Sequence, residues 1–390
     1  MTVATNEDKL VAVSVMGQIV HPGFPGLPAE PYRLAADGTP FLLPTYGGIV
    51  YNVSVGDSAF GWQADCVHPG VSIAYPADLG NRGLNVYACV GNEAVVMTGR
   101  AQGTKGTVTG KSGRFSEHVI VHVPKAAREM MAVGDKIVVR SKGVGMAVTD
   151  HPAVKLKSLS PELFRALAPS SAGGSLKVPV VAVVPPHLVG AGAGLTSEGG
   201  SIHIQTTDRE EVAKAGLDAL RLGDLVALAD TDSRYQHGYL RGATGIAVVG
   251  QTDGPRAGYG PGLTLLMTGT AGAITPDAVP SNSTRSGEIT DTLRESLTNQ
   301  PWSFFAFATT SSTPPAMKNA CSGRLSNSPA QIRSNDEIVS SSFTYLPGIP
   351  VNCSATANGC DMKRCRRRAR PTIFLSSSES SSMPRMAMMS

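Results

Sequence analysis

The sequence predicts a mainly β protein with a few short helices, folded as two barrel-like or sandwich-like β domains. Three observations carry that expectation. Of the 390 residues, 43 are Gly and 27 are Pro, while aromatic residues make up 5% and charged residues 16%, a balance that suits turn-rich sheet better than a helical bundle. The apolar runs are short and bounded by Gly, Pro, Asn or Asp, as strands are. A Val/Leu-Gly-Asp unit recurs at Val55–Asp57, Val133–Asp135 and Leu222–Asp224, each time beside an apolar run. In such corners, common at barrel rims, glycine supplies the left-handed residue and aspartate ties up backbone N–H groups.

Taken in order, Leu10–Val15 and Ile19–Val20 read as short strands broken at Gly17, and the prolines between His21 and Pro31 exclude helix or central strand. Tyr32–Leu43 reads as a hairpin across Asp37-Gly38, where both positions favour positive φ. Strands are expected at Ile49–Val53, Val86–Val90, Ala94–Met97, between Gly103 and Gly113, at His118–Val123 and at Lys136–Arg140. Pro124–Met131 and Ser160–Leu167 carry Pro at a first helical turn, the second behind an N-cap serine. The Ser/Gly-rich stretch Ala168–Gly174 marks a boundary between a domain region over 1–168 and a second over 175–275.

The second region opens with the continuous apolar run Leu176–Val184, a buried strand. Gly190, Gly192 and Gly194 follow a Pro-Pro break, which argues against a dinucleotide turn. It favours a loop whose backbone approaches a ligand or a neighbouring subunit. Ser201–Gln205 alternates, with Ile202 and Ile204 on one face and His203 on the other. Asp208 caps a helix expected to run to Leu222, and strands follow at Leu225–Leu228, Gly245–Val249 and Leu263–Met267.

Two strands that deliver charged residues to one loop and then bend on glycines suggest a site. Asp230 and Asp232, one residue apart, supply hard oxygen ligands for Mg²⁺ or Mn²⁺, or else bond the loop backbone. Arg234 and Arg241 clamp an anion or neutralise those aspartates, and Tyr235 and Tyr239 donate protons or pack. Gly258, Gly260 and Gly262 let the following turn approach a ligand. Asp65 stands three residues before His68, as an orienter stands to a base, though a turn histidine before Pro also serves as a plain surface group. No G-x-S-x-G, H-E-x-x-H, C-x-x-C or P-loop occurs.

Residues 1–282 hold 22 Lys+Arg against 23 Asp+Glu, about −1, and residues 283–390 hold 12 against 7, about +5. A neutral body argues against a nucleic-acid surface. No basic and apolar leader opens the chain and no apolar run is long enough to span a membrane. Cys66 and Cys89 read as buried thiols of a cytoplasmic protein, packed as a homo-oligomer.

The blocks NEDKLVAVSVMGQIVHP, GGIVYNVSVGDSAFGW, NRGLNVYACVGNEAVVMTGRAQGTKGTVTGKSG and LRLGDLVALADTDSRY with GYGPGLTLLMTG resemble a bacterial and archaeal family without assigned activity, number four-four-three-eight in the domain-of-unknown-function series. The likeness covers about residues 6–270 and implies a mostly β protein. It also implies a histidine where this chain has Tyr259, which weighs against a metal at that turn. Beyond it, residues 283–390 are Ser-rich, aperiodic and basic, expected to be a disordered extension or the product of a lost reading frame. The function expected from all this is a small-molecule enzyme of hydrolase or lyase type, with Mg or Mn as the candidate metal, catalytic at Asp230, Asp232, Tyr235, Arg241, His68 and Asp65. The alternative is a non-catalytic ligand-binding or assembly protein.

Overall fold

The computed structural model describes residues 3–23, 32–113 and 117–279; the expectations for 283–390 lie outside them. Along the chain come β1 (Val13–Ile19), the hairpin β2 (Arg33–Leu34) and β3 (Pro40–Phe41), β4 (Val71–Ala74), helix α1 (Asp78–Tyr87), β5 (Glu93–Val96), β6 (Lys105–Ser112) and β7 (His118–His122). Helix α2 (Lys125–Arg128), β8 (Lys136–Ser141), β9 (Val154–Leu156) and α3 (Pro161–Ala166) follow. Then come β10 (Ser170–Ala172), β11 (Ser175–Val180), β12 (Ala182–Val184), β13 (Ile202–His203), α4 (Arg209–Lys214), β14 (Leu225–Asp232), β15 (Gly238–Val249), β16 (Gly262–Gly269) and β17 (Ile274–Ala278).

The first half closes a six-stranded barrel in the order β1-β4-β7-β6-β5-β8, filled by Ile19, Val71, Ile73, Val108, Val119, Val121, Ile137 and Val139. The second half is sandwich-like. A six-stranded sheet ordered β12-β14-β15-β16-β13, with β9 also on β16, packs against the three-stranded sheet β10-β11-β17. The apolar runs of its central strands serve two cores at once. Leu225, Ala227, Ile246 and Val248 face one, and Val226, Leu228, Ala247 and Val249 face the other, as period-two alternation requires of a sheet covered on both sides.

The three Gly-Asp corners share one geometry. Gly56, Gly134 and Gly223 have φ of 95°, 93° and 96°. Asp57, Asp135 and Asp224 each accept from the N–H three residues back, on Ser54, Ala132 and Arg221, at 2.8 Å. The Ser160 cap on the Leu163 N–H and the Asp208 cap on the Glu211 N–H form as the sequence implies; a hairpin across Asp37-Gly38 also forms, but only Gly38 takes a positive φ, of 84°, and its strands are two residues each.

Five expectations differ. The first strand does not break at Gly17: β1 runs through it, paired with β8 from Val13 to Gln18, because a glycine there admits the close approach of Leu84 and Ile73. Val86–Val90 is not a strand. Residues 78–87 are α1, although Gly80 and Gly83 weaken its helical propensity. Leu84 seats that helix against Gly17 and Ile73 of the barrel, and Gly80 leaves room for the Tyr75 ring. Ile49–Val53 keeps only one isolated bridge, Ile49 to Val71. The buried Arg128 guanidinium takes the Val50 and Val53 carbonyls, at 2.5 and 2.9 Å, that a neighbouring strand would otherwise bind. The run 176–184 divides at Val181, β11 pairing with β17 in one sheet and β12 with β14 in the other. Helix α4 stops at Lys214, two residues before Gly216 at φ 67°. In addition, β17 runs to Ala278, past the edge at 275.

The barrel meets the sheet through Thr264 of β16, whose Oγ1 accepts from the Lys111 N–H at 2.8 Å and donates to the Lys111 carbonyl at 3.1 Å. At Gly223 a side chain would need a left-handed backbone and would lie 2.8 Å from Val55. We expect Gly223→Ala to cost roughly 1–3 kcal/mol of stability, read as a lower urea midpoint at unchanged m-value; an unchanged midpoint would show that the corner relaxes freely.

Candidate active site

A cleft of about 350 Å³ opens where the end of the barrel meets two loops of the sheet. Gly113 and Glu117 reach it from β6 and β7, Arg33 from the hairpin, and Tyr46 and Cys66 from the segment before β4. Ala191–Leu195, Ser201 and His203 come from the loop around β13; Gln251, Arg256 and Tyr259 come from the β15–β16 connection. The two glycine-rich loops are locked together. Ala191 N–H donates to the Gly258 carbonyl at 2.8 Å, a side chain on Gly190 would collide with that same carbonyl, and one on Gly192 would lie 2.7 Å from the Ser201 carbonyl. Gly260 is likewise closed off by Ile204 and Thr206, and Gly262 by the Gln251 side chain.

Asp65 anchors the cleft. Its fully buried carboxylate accepts from Arg33 Nη1 at 2.6 Å and from Arg256 Nε at 3.0 Å. Two guanidinium groups on one carboxylate leave one positive charge in excess on this side of the cleft, facing the Glu117 carboxylate that also lines it. Arg256 lies 3.8 Å over the Tyr259 ring, a cation–π contact that fixes its plane. Cys66, at φ 58°, is one of three non-glycine residues with positive φ among the described residues. Burial first, then the neighbouring Asp65 charge, pushes its thiol pKa up, so the sulfur stays protonated beside the Tyr259 carbonyl at 3.5 Å.

His203 carries the most directed chemistry. Its Nδ1 lies 3.0 Å from the Gly260 carbonyl, which can only accept. The ring proton therefore sits on Nδ1, and bare Nε2 faces Ser201 Oγ at 3.3 Å. Burial lowers the His203 pKa to about 4, so the ring is neutral at pH 7. His68 is also buried but differently engaged. Its Nε2 receives the Gln251 amide at 2.8 Å and its Nδ1 meets Ser72 Oγ at 2.6 Å. Tyr46 stacks on His68 with ring centres 6.1 Å apart, and His118 stands edge-on at 5.8 Å.

The structure brings some of the sequence-derived residues to this cleft and leaves others elsewhere. Gly192 lines it, and Gly190, Gly258, Gly260 and Gly262 shape its walls. Asp65 and His68 sit beneath it, but they are not partners: each is engaged by other groups. Asp230, Asp232, Tyr235 and Arg241 lie on the β14–β15 hairpin and do not line it. Asp230 is bulged out of the ladder at φ 51°, its carboxylate accepting from the Gly242 N–H at 2.6 Å. Asp232 is held by Arg234 through Nε and Nη2. Tyr235 and Tyr239 are 84% and 69% exposed. Among the described residues no group of three or more His, Cys, Asp or Glu side chains is arranged to hold a metal. Arg33, Tyr46, Ser201, Gln251 and Arg256 were not legible as site residues. Arg33 and Arg256 lie 223 positions apart and meet only through Asp65.

Two outcomes follow from these charges. Asp65→Asn leaves two guanidinium groups facing each other, and should destabilise the fold by about 3–5 kcal/mol, while Asp230→Asn on the hairpin should cost under about 1 kcal/mol; equal losses would remove Asp65 from its central place. The pKa of His68 is held well below its ordinary value, and those of His118, His203 and His237 at about 4, in each case chiefly by burial. Between pH 6.5 and about 4 the unfolded chain therefore binds more protons than the folded one, so stability falls as pH drops through that window. Each of the three histidines held at about 4 contributes up to roughly 3 kcal/mol. Thermal midpoints recorded from pH 7 to 4 should decline below pH 6.5; a flat profile to pH 4 would contradict buried neutral rings.

Family models place residues 32–165 with the N-terminal part of a domain of unknown function, DUF4438, and residues 166–285 with its C-terminal part. No curated protein matches. A solved structure titled "Crystal structure of TM1086" is similar at 39% identity and a TM-score of 0.67, over 72% of this chain and 96% of that one. The strands, the barrel and both halves of the fold agree with these likenesses, and among the described residues no helix is long and apolar enough to cross a membrane. The chain belongs to the DUF4438 family.

Proposed function

We propose that the chain is a hydrolase for a small anionic substrate, acting in the cleft beneath Arg33 and Arg256. One observation carries the reading: Ser201 Oγ, His203 Nε2 and the Gly260 carbonyl form a hydrogen-bonded series on the wall of a cation-lined cleft. A hydroxyl, a base and a group that fixes the base's tautomer are the parts of nucleophilic acyl transfer. Here a main-chain carbonyl takes the orienting role that a carboxylate takes elsewhere.

In this mechanism the substrate's anionic group meets the arginines. Ser201 Oγ attacks the substrate carbonyl as its proton passes to His203 Nε2. His203 then returns that proton to the departing alkoxide or amine, leaving an acyl-serine. Water adds to the acyl group, giving its proton to His203, and the tetrahedral adduct collapses to the free acid with the proton restored to Ser201. The 3.3 Å between Ser201 and His203 is long for a hydrogen bond, as such contacts often are before a substrate closes them. A bound anion would raise the low His203 pKa and make the base stronger when it is needed. The buried, unpaired Cys66 and Cys89 support a reducing, cytoplasmic setting. The exposed Tyr235, Tyr239 and Leu240 on the β14–β15 hairpin support the expected homo-oligomer.

The test joins binding to turnover. Phosphate and glutarate at millimolar concentration should raise the thermal midpoint, and Arg256→Gln should weaken both by about tenfold or more. With mono-p-nitrophenyl glutarate, an anionic ester, as acyl donor, Ser201→Ala should lose at least about a hundredfold in kcat/KM while keeping the glutarate shift. The wild-type kcat/KM should be flat between about pH 6.5 and 8, since burial keeps His203 neutral throughout that range. Undiminished hydrolysis by Ser201→Ala removes the hydrolase reading, and glutarate binding without turnover leaves a ligand-binding protein in its place.

A further inference from the structure

The cleft holds charges of both signs, and they do not cancel one another. Arg33 and Arg256 are committed to Asp65 beneath them. Glu117 lines the same cleft from the start of β7, and among the described residues its carboxylate makes no ion pair or hydrogen bond. Its side chain packs over Gly113. Gly113, at φ 106°, has its Cβ position occupied by Glu117, whose Cβ, Cγ and Cδ lie 2.5, 2.6 and 2.8 Å from that point. The backbone on either side is also held, the Glu117 N–H donating to the Ser112 carbonyl at 3.2 Å and the Asn81 amide to the Glu117 carbonyl at 3.1 Å.

Tyr46 lies within electrostatic reach of both signs. Burial and the Glu117 charge oppose its ionisation, while Arg33 and Arg256 favour it. The third wall is small and largely apolar, made by Ala191, Gly192, Ala193 and Leu195. An acid held close to two arginines without pairing with either is a poor arrangement for stability alone. A ligand that bridges the two would relieve it.

We infer that the ligand of this cleft is a small zwitterion of the amino acid class, its carboxylate set against Arg33 and Arg256 and its ammonium group against Glu117, with the side chain toward Ala191–Leu195. The inference rests on the anion reading of the cleft and adds to it a specific demand for a positive group on the same small ligand as the carboxylate. Acids lacking the amine leave Glu117 unmatched, and amines lacking the acid leave the arginines unmatched.

The experiment compares matched pairs by calorimetric titration of the full chain: L-glutamate against glutarate, and L-leucine against 4-methylpentanoate, with Glu117→Gln alongside the wild type. At least one amino acid should bind about tenfold or more tightly than its deaminated partner, as a charge-assisted contact implies, and Glu117→Gln should erase that difference while leaving the acid's affinity within about twofold. Circular dichroism and the thermal midpoint of the variant establish that it folds. If the acids bind as tightly as the amino acids, or Glu117→Gln keeps the preference, the zwitterion inference is overturned and the anion reading stands. If neither acid nor amino acid binds, both fall together.

Discussion

The sheet β12-β14-β15-β16-β13 is buried on both faces, and that single constraint governs where everything else goes. A strand with apolar residues in both directions needs two covers. One is the sheet β10-β11-β17 with α3, and the other is the α4 region with the segment around Val53 and Ala59. The barrel cannot add a third cover, so it docks at the β16 side, where Thr264 supplies both a donor and an acceptor to the Lys111 backbone. A polar joint of this kind satisfies backbone groups of β6 beyond Lys105–Thr107, the residues that β5 pairs.

The cleft follows from that docking. With both faces of the sheet covered, open space remains only at the ends, where the β15–β16 connection and the glycine loop after β12 meet the mouth of the barrel. Glycine at 190, 192 and 260 lets these loops pack backbone to backbone. Their carbonyls are then available to side chains, which is how Gly260 comes to set the tautomer of His203. Asp65 completes the frame, since one buried carboxylate draws Arg33 and Arg256 from opposite ends of the sequence to one point. Such a pairing contributes less to net stability than to fixing where two charges stand.

Around this frame, buried polar groups are placed with partners that local sequence does not announce. Arg128 is almost wholly buried, and its Nη1 and Nη2 donate to two carbonyls and a serine hydroxyl from residues 50–54, while Nε is left without a partner among the described residues. The price is that those residues cannot join a ladder. His68 is likewise buried and neutral, held between Ser72 and Gln251 across a separation of 183 positions. Its ring stacks with Tyr46, which lines the cleft.

The sequence by itself determined the β class, the three Gly-Asp corners, the caps of α3 and α4 and the Asp37-Gly38 hairpin. These depend on contacts within a few residues, where φ preference and side-chain reach act directly. It also marked both glycine loops as places of close approach. Only the tertiary structure decided that residues 78–87 would be a helix despite two glycines, since the gain comes from seating Leu84 on the barrel. The same holds for the site. Asp230 and Asp232 looked convergent along the strand, but a bulge and Arg234 turned their carboxylates to local partners. The charges that do converge, Arg33, Asp65, Glu117 and Arg256, are scattered through the chain, and only the packing of a barrel against a doubly covered sheet brings them to one cleft.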